Sequence, residues 1–241
     1  MSEQKTDTQR CDARDIHQCM SIHTRETTDS CRDRDCIEDL RVYLTTGSQA
    51  ILDSATNARV RSAELITTSI DVTPVAFDGH HYCIDLTFYY RILADAVMGS
   101  SRPTSLQGLA VFSKRAVLCG EDSRAHIYRS NTGPNRSSPL FANLPAAIVE
   151  VLDPMVLSSK VKETNLCSCD GLTPQIPDCI RELYEDPLVL SGGQRQLLVT
   201  LGQFSIIRLE RDAHLVVPVL DYAIPCKECC ENPGSSEDPC E

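Results

Sequence analysis

The chain reads as a mainly β protein, an antiparallel β-sandwich or barrel-like core with at most one or two short helices and a cysteine-bearing arm at each end. Three observations predict this. Apolar and polar residues alternate strictly on both sides of Asp78-Gly79, the pattern of two strands joined as a hairpin. Further apolar runs at 109–118, 146–152, 155–161, 197–210 and 215–224 are separated by turn-rich stretches, and little of the chain has helical spacing. Thirteen cysteines crowd toward the ends, four in the first 36 residues and four in the last 16.

In chain order, residues 1–36 are polar, rich in Asp, Arg, Thr and Gln, and show neither a helical nor a strand period. They read as an arm that orders against something else. Residues 48–57 suit a short helix with Ser48 as its cap. The hairpin follows. Glu64, Ile66, Thr68, Ile70 and Val72 share one face of the first strand, and Tyr82, Ile84, Leu86, Phe88, Tyr90 and Ile92 share one face of the second. A two-residue turn at Asp78-Gly79 would set Val72 opposite Asp85 and mix core with solvent faces. A shift of one sets Val72 opposite Leu86 and Ile70 opposite Phe88, so a bulge or longer loop is needed, with Pro74 a natural place for it. The later strands are interrupted by a turn-rich loop at 130–139 and a Cys/Pro excursion at 167–187. The expected organisation is an N-terminal arm, 1–36, a β domain, 37–224, and a polar Cys-rich tail, 225–241.

Composition narrows the function classes. With 23 basic and 34 acidic residues the net charge is −11, which repels phosphate backbones, so no nucleic-acid partner is expected. No stretch reaches the roughly 18 consecutive apolar residues of a membrane-spanning helix. The start, Met1-Ser2-Glu3-Gln4-Lys5-Thr6-Asp7, lacks the apolar run of a signal peptide, so synthesis in a cytosol is expected. Thiols stay reduced there. Either the protein is oxidised after synthesis, or its cysteines bind a metal.

Leu190-Ser-Gly-Gly-Gln-Arg-Gln196 matches the signature string of ATP-binding cassette ATPases. The Gly-x-x-x-x-Gly-Lys-[Ser/Thr] phosphate loop that such chemistry needs is missing from the sequence, so Gly192-Gly193 is expected to be a turn or bulge. Cys226-x-x-Cys229 with Cys230, Cys167-x-Cys169 and Cys31-x4-Cys36 could supply zinc thiolates, but only one Cys-x2-Cys pair is present, against the two separated pairs usual in structural zinc sites. His80-His81 beside the Asp-Gly turn, near Cys83, reads as a solvated turn pair. No hydrolase, metalloprotease or dinucleotide motif is found, so no catalytic residues, cofactor or metal are assigned and an enzyme is not expected. Cys83 and Cys119 fall in predicted strands, where free Cys packs as a small hydrophobe. Cysteines outside the apolar core are reactive unless used, and an odd total leaves at least one without a partner in its own chain. Cys11, Cys19, Cys31, Cys36, Cys226, Cys229, Cys230 and Cys240 are therefore the candidates for disulfides between subunits.

The Cys-bearing polar arm, the segment Gly47-Ser-Gln-Ala-Ile-Leu-Asp-Ser-Ala-Thr-Asn-Ala-Arg-Val-Arg-Ser-Ala-Glu64, and the ending 215–230 with Pro225-Cys-Lys-Glu-Cys229 together resemble cysteine-rich spore-surface proteins of clostridia and related spore formers, components of coat and exosporium. The resemblance covers residues 36 to 230 and carries no catalytic signature. It implies synthesis in the mother-cell cytoplasm without a signal peptide, oxidation around the spore, and assembly with itself or with other spore-surface proteins. The expected function is thus a structural, self-assembling protein forming a disulfide-cross-linked lattice, tube or fibre. The alternatives are a cytosolic zinc-thiolate module and a thiol-redox protein.

Overall fold

A computed structural model describes residues 18–99, 102–120, 144–164 and 174–219. The chain forms two units, Thr27–Arg211 and a second made of Met1–Glu26 with Asp212–Glu241. The elements are β1 (Gln18–Leu44), α1 (Thr46–Ser54), β2 (Asn57–Pro74), β3 (His81–Val97), β4 (Thr104–Cys119), β5 (Ala146–Val151), β6 (Met155–Glu163), α2 (Asp178–Arg181) and β7 (Arg195–Val219). In the second unit the rings of His23 and His214 lie 4.9 Å apart, and His23 Nε2 is 3.9 Å from Asp212 Oδ1.

The strands make one antiparallel sheet in the order β2-β3-β4-β1-β7-β5, with β6 also paired to β7. Ala146–Val151 lies opposite Glu210–Ser205 and Met155–Glu163 opposite Gly202–Arg195, so β5 and β6 run end to end along one edge of β7. This edge comes round to meet β2. Side chains bridge the seam, Val60 N–H donating to Ser159 Oγ at 3.1 Å and Leu65 N–H to Asp153 Oδ1 at 3.2 Å. The sheet therefore closes almost completely into a barrel, the mainly β, barrel-like core that the sequence predicts.

The hairpin β2–β3 keeps the expected parity but not the expected partners. Val72 pairs with Ile84 and Ile70 with Leu86, two residues nearer the turn than expected, and Pro74 is a paired strand end opposite Tyr82. The bulges lie further along, at Arg61 and Ile66. Each skips one residue, which keeps Val72, Leu65, Ala63, Val60 and Ala58 on the side of the core. Ile66 is correspondingly turned outward, away from Ile70 and Val72. The inward set of β3 is the predicted one, continued by Ala94 and Ala96. Phe88 stacks nearly parallel to Tyr90 and Phe112, with centroids 6.3 and 6.1 Å apart.

Three further expectations need correction. Residues 18–36 are not an irregular arm but part of β1. Over 31–37 the inward positions hold Cys31, Asp33, Asp35 and then Ile37, and the outward ones Arg32, Arg34 and Cys36. Both faces are thus polar, and the strand forms because neighbouring strands pair with it, not because its own pattern demands it. The inward set then moves from odd to even residues, Leu40, Val42 and Leu44, across Asp39, whose φ is 52°. The helix starts earlier than expected: Thr45, not Ser48, caps it, accepting the Ser48 N–H at 3.4 Å. The two strands expected at 197–210 and 215–224 are one, β7, as far as Val219; Arg211-Asp212 is polar but contains no residue that breaks a ladder.

Gly108 allows β1 to approach β4 closely, since a Cβ there would meet Tyr43 O and Val42 Cγ1 at 2.8 Å. Outside β3 and β4 a second apolar cluster joins Tyr89 and Leu109 to Ile176, Ile180 and Tyr184 around α2, with Ile66 packed against it. Tyr184 donates its hydroxyl to Gly108 O at 3.2 Å.

Candidate functional site

Of the eight candidate cysteines, Cys11, Cys226, Cys229, Cys230 and Cys240 lie outside the described residues, as do Cys167 and Cys169. Cys19 and Cys36 are exposed on β1, and neither is in a disulfide. Cys31 differs. It occupies an inward position and packs against the core, and burial, then the Asp33 carboxylate, push its thiol pKa up. Five residue-to-residue steps of about 3.3 Å each separate it from Cys36, and the two point to opposite faces. Disulfides need Cα atoms about 4.4–6.8 Å apart, so Cys31 and Cys36 cannot bridge each other. Cys83, Cys119 and Cys179 are also unpaired, with Cys119 and Cys179 exposed. Among the described residues no three His, Cys, Asp or Glu side chains are placed to hold a metal ion.

The two motifs singled out in the sequence have local structural roles. His81 Nδ1 lies 2.8 Å from Asp78 Oδ2, and the His80 backbone N–H donates to Asp78 Oδ1 at 3.0 Å. These bonds hold the Asp78 carboxyl below its ordinary pKa and close the β2–β3 loop. Gly192 and Gly193 have φ of 86° and 89°, open to glycine and strained for other residues. A Cβ on Gly193 would stand 2.7 Å from Gln49 Nε2. That amide donates to Asp53 Oδ1 and Arg195 O, both at 2.9 Å, while Asp53 accepts the Gln194 and Arg195 N–H groups at 3.1 Å. The Ser-Gly-Gly-Gln string thus ties α1 to the start of β7.

Compared with known protein families, curated proteins and solved structures, the chain matches none. Its own side chains have to supply the functional argument.

The densest chemistry lies where sequence reading did not look, on the inner wall between β1, β4 and β7. Lys114 Nζ is 2.5 Å from Asp35 Oδ2, 3.2 Å from Asp33 Oδ2 and 3.1 Å from Ser205 Oγ. It also sits 5.7 Å from the centroid of the Phe88 ring. The Lys114 side chain is 11% exposed and that of Asp35 17%, whereas Asp33 is 48% exposed. Deeper in, the Tyr90 hydroxyl donates to Gln203 Oε1, and burial, reinforced by the Asp35 charge, raises the Tyr90 pKa. Gln203 Nε2 is buried with no hydrogen-bond partner among the described residues. The sequence carried a signal for Lys114 alone and not for its partners: the even residues of β4 point inward, and Lys114 is one of them.

Proposed function

We propose that the protein is a structural, self-assembling component joined to its neighbours by disulfides, made in the mother-cell cytoplasm and oxidised at a spore surface, with no turnover of a substrate. The observation that carries this reading is Cys36, exposed and unbridged on the outward face of a strand whose nearby thiol, Cys31, faces inward; Cys19 is likewise exposed and unbridged. An exposed thiol on a rigid strand has no route to a partner on the opposite face, so its oxidation favours a second molecule. Non-covalent contacts to set the geometry have a candidate surface in Leu152, Met155 and Leu157, 64, 68 and 53% exposed within six residues along the β5–β6 edge. Cys31 is set aside as a linker because it is packed against the core.

A gel tests this directly. After air oxidation and boiling in detergent, the purified chain should run as a ladder of multimers that collapses to monomer with reductant. Mass spectrometry should then find Cys19 or Cys36 in peptides joined between chains. A single monomer band without reductant would defeat the reading. Stoichiometric zinc on the reduced protein, released by thiol alkylation, would replace it with the metal-binding alternative.

A further inference from the structure

We infer that Lys114 and Asp35 condense to an intramolecular isopeptide bond across β1 and β4, with Asp33 carrying the proton. The three groups lie within hydrogen-bond reach: Nζ to Asp35 at 2.5 Å and to Asp33 at 3.2 Å. An oxygen at 2.5 Å puts the Asp35 carboxyl carbon close to the near-attack separation of about 3–3.5 Å. The reacting pair is shielded, at 11% and 17% exposure, under the Phe88 ring. The more open Asp33 is placed to exchange protons. Nothing in this geometry requires a ligand or another chain.

The step balances without an oxidant or reductant. An ammonium facing a carboxylate holds the same protons as an amine facing a carboxylic acid. The amine–acid form is the one that reacts, and a single proton transfer along the 2.5 Å contact supplies it. The Nζ lone pair attacks the Asp35 carbonyl carbon and the C–N bond forms. Asp33 accepts a proton from Nζ and returns it to the departing hydroxyl. The C–O bond breaks and water leaves, so ammonium plus carboxylate becomes amide plus water and Asp33 ends unchanged. In bulk water amide formation is uphill, but a fixed, enclosed pair gains effective molarities of about 10⁵–10⁸ M. The product is neutral, which removes two partly buried charges, and it joins residues 79 apart in sequence, closing a long loop that constrains the unfolded chain.

This inference stands apart from the disulfide reading, because an amide survives reductant. The test is the intact mass of the purified full-length chain, denatured and fully reduced. The expected mass is that of the sequence less one water, and trypsin should leave a branched peptide joining residues 35–41 to 92–115. Lys114→Arg, which keeps the charge but not the nucleophile, should show the full mass. Asp35→Asn should lose ammonia instead of water. Asp33→Asn should show the full mass, or lose water at least tenfold more slowly after refolding. The full sequence mass for the unaltered, folded chain would overturn the bond; complete water loss in Asp33→Asn at an unchanged rate would overturn the role of Asp33.

Discussion

β3 and β1 stand one place apart in the same barrel wall, with β4 between them, yet they are held by different chemistry. β3 turns Ile84, Leu86, Phe88, Tyr90 and Ile92 inward, all essentially without solvent exposure. Residues 27–37 of β1 turn in Cys31, Asp33 and Asp35 before reaching Ile37. A strand of the first kind folds by burial of its own apolar face. The second kind is admitted by a complement on its neighbour, here Lys114. The difference teaches that a barrel needs one or two strongly patterned strands to set its register, after which a polar strand can be accommodated if its inward charges are paired.

The largest expected effect tests β3. Phe88→Ala removes a fully buried ring stacked between Tyr90 and Phe112 and should cost about 3–5 kcal/mol in denaturant unfolding. A loss below about 1 kcal/mol would show that this face does not organise the core.

Next comes the charge pairing of β1. Lys114→Met removes the link to Asp35 and leaves its carboxylate enclosed without a partner; the unpaired charge alone should destabilise by about 2–4 kcal/mol, less than for a wholly buried pair because Asp33 is half exposed. Lys114→Met combined with Asp35→Leu should be more stable than the single variant, since the stranded carboxylate is gone. A double variant less stable than the single one would show that the cost of Lys114→Met is not that of an unpaired charge.

A smaller effect concerns the outer cover of β3. Burial pushes the Tyr184 pKa up to about 12. A raised phenol pKa means that the folded state holds its proton where the unfolded chain has lost it. Stability from this group is complete below the unfolded value of about 10 and falls as pH rises to about 12. Under reducing conditions Tyr184→Phe should lose about 1 kcal/mol at neutral pH, with the bond to Gly108 O, and decline less steeply between pH 10 and 12. An unchanged alkaline slope would rule out Tyr184 as its source.

The smallest effects separate the two faces of β1. Cys36→Ser should change stability by no more than about 0.5 kcal/mol, as an exposed substitution does. Cys31→Ser, which puts a hydroxyl against the core, should cost about 1 kcal/mol. Iodoacetamide should label Cys36 well before Cys31, whose thiol is partly buried with a raised pKa. Equal labelling rates would erase the distinction.

Legibility follows the same division. The inward set of β3, the hairpin parity, and the strands at 109–118 and 146–152 could be read directly, because each follows a period-2 pattern; the strand at 155–161 was found too, although a register shift between Val156 and Ser158 breaks its alternation. The bulges at Arg61 and Ile66 could not, since a skipped residue is visible only as a broken alternation that chance also produces. The left-handed backbone at Gly192-Gly193 was legible from glycine alone, but the expected turn or bulge is instead the irregular segment that leads into β7. The group around Lys114 was not, because Asp33, Asp35, Lys114 and Ser205 are far apart in the chain and meet only when β4 and β7 flank β1.

The identity of the apolar strands, their core face and the crowding of cysteines toward the chain ends were determined by the sequence itself, for periodicity and composition are local properties; the polar strand at 18–36 was not. Which thiols face outward, which carboxylates meet a lysine, and how β5 and β6 come round to β2 were decided only by the tertiary structure. Those outcomes depend on register and barrel closure. Both are set by the summed packing of every strand, and no single segment encodes that sum.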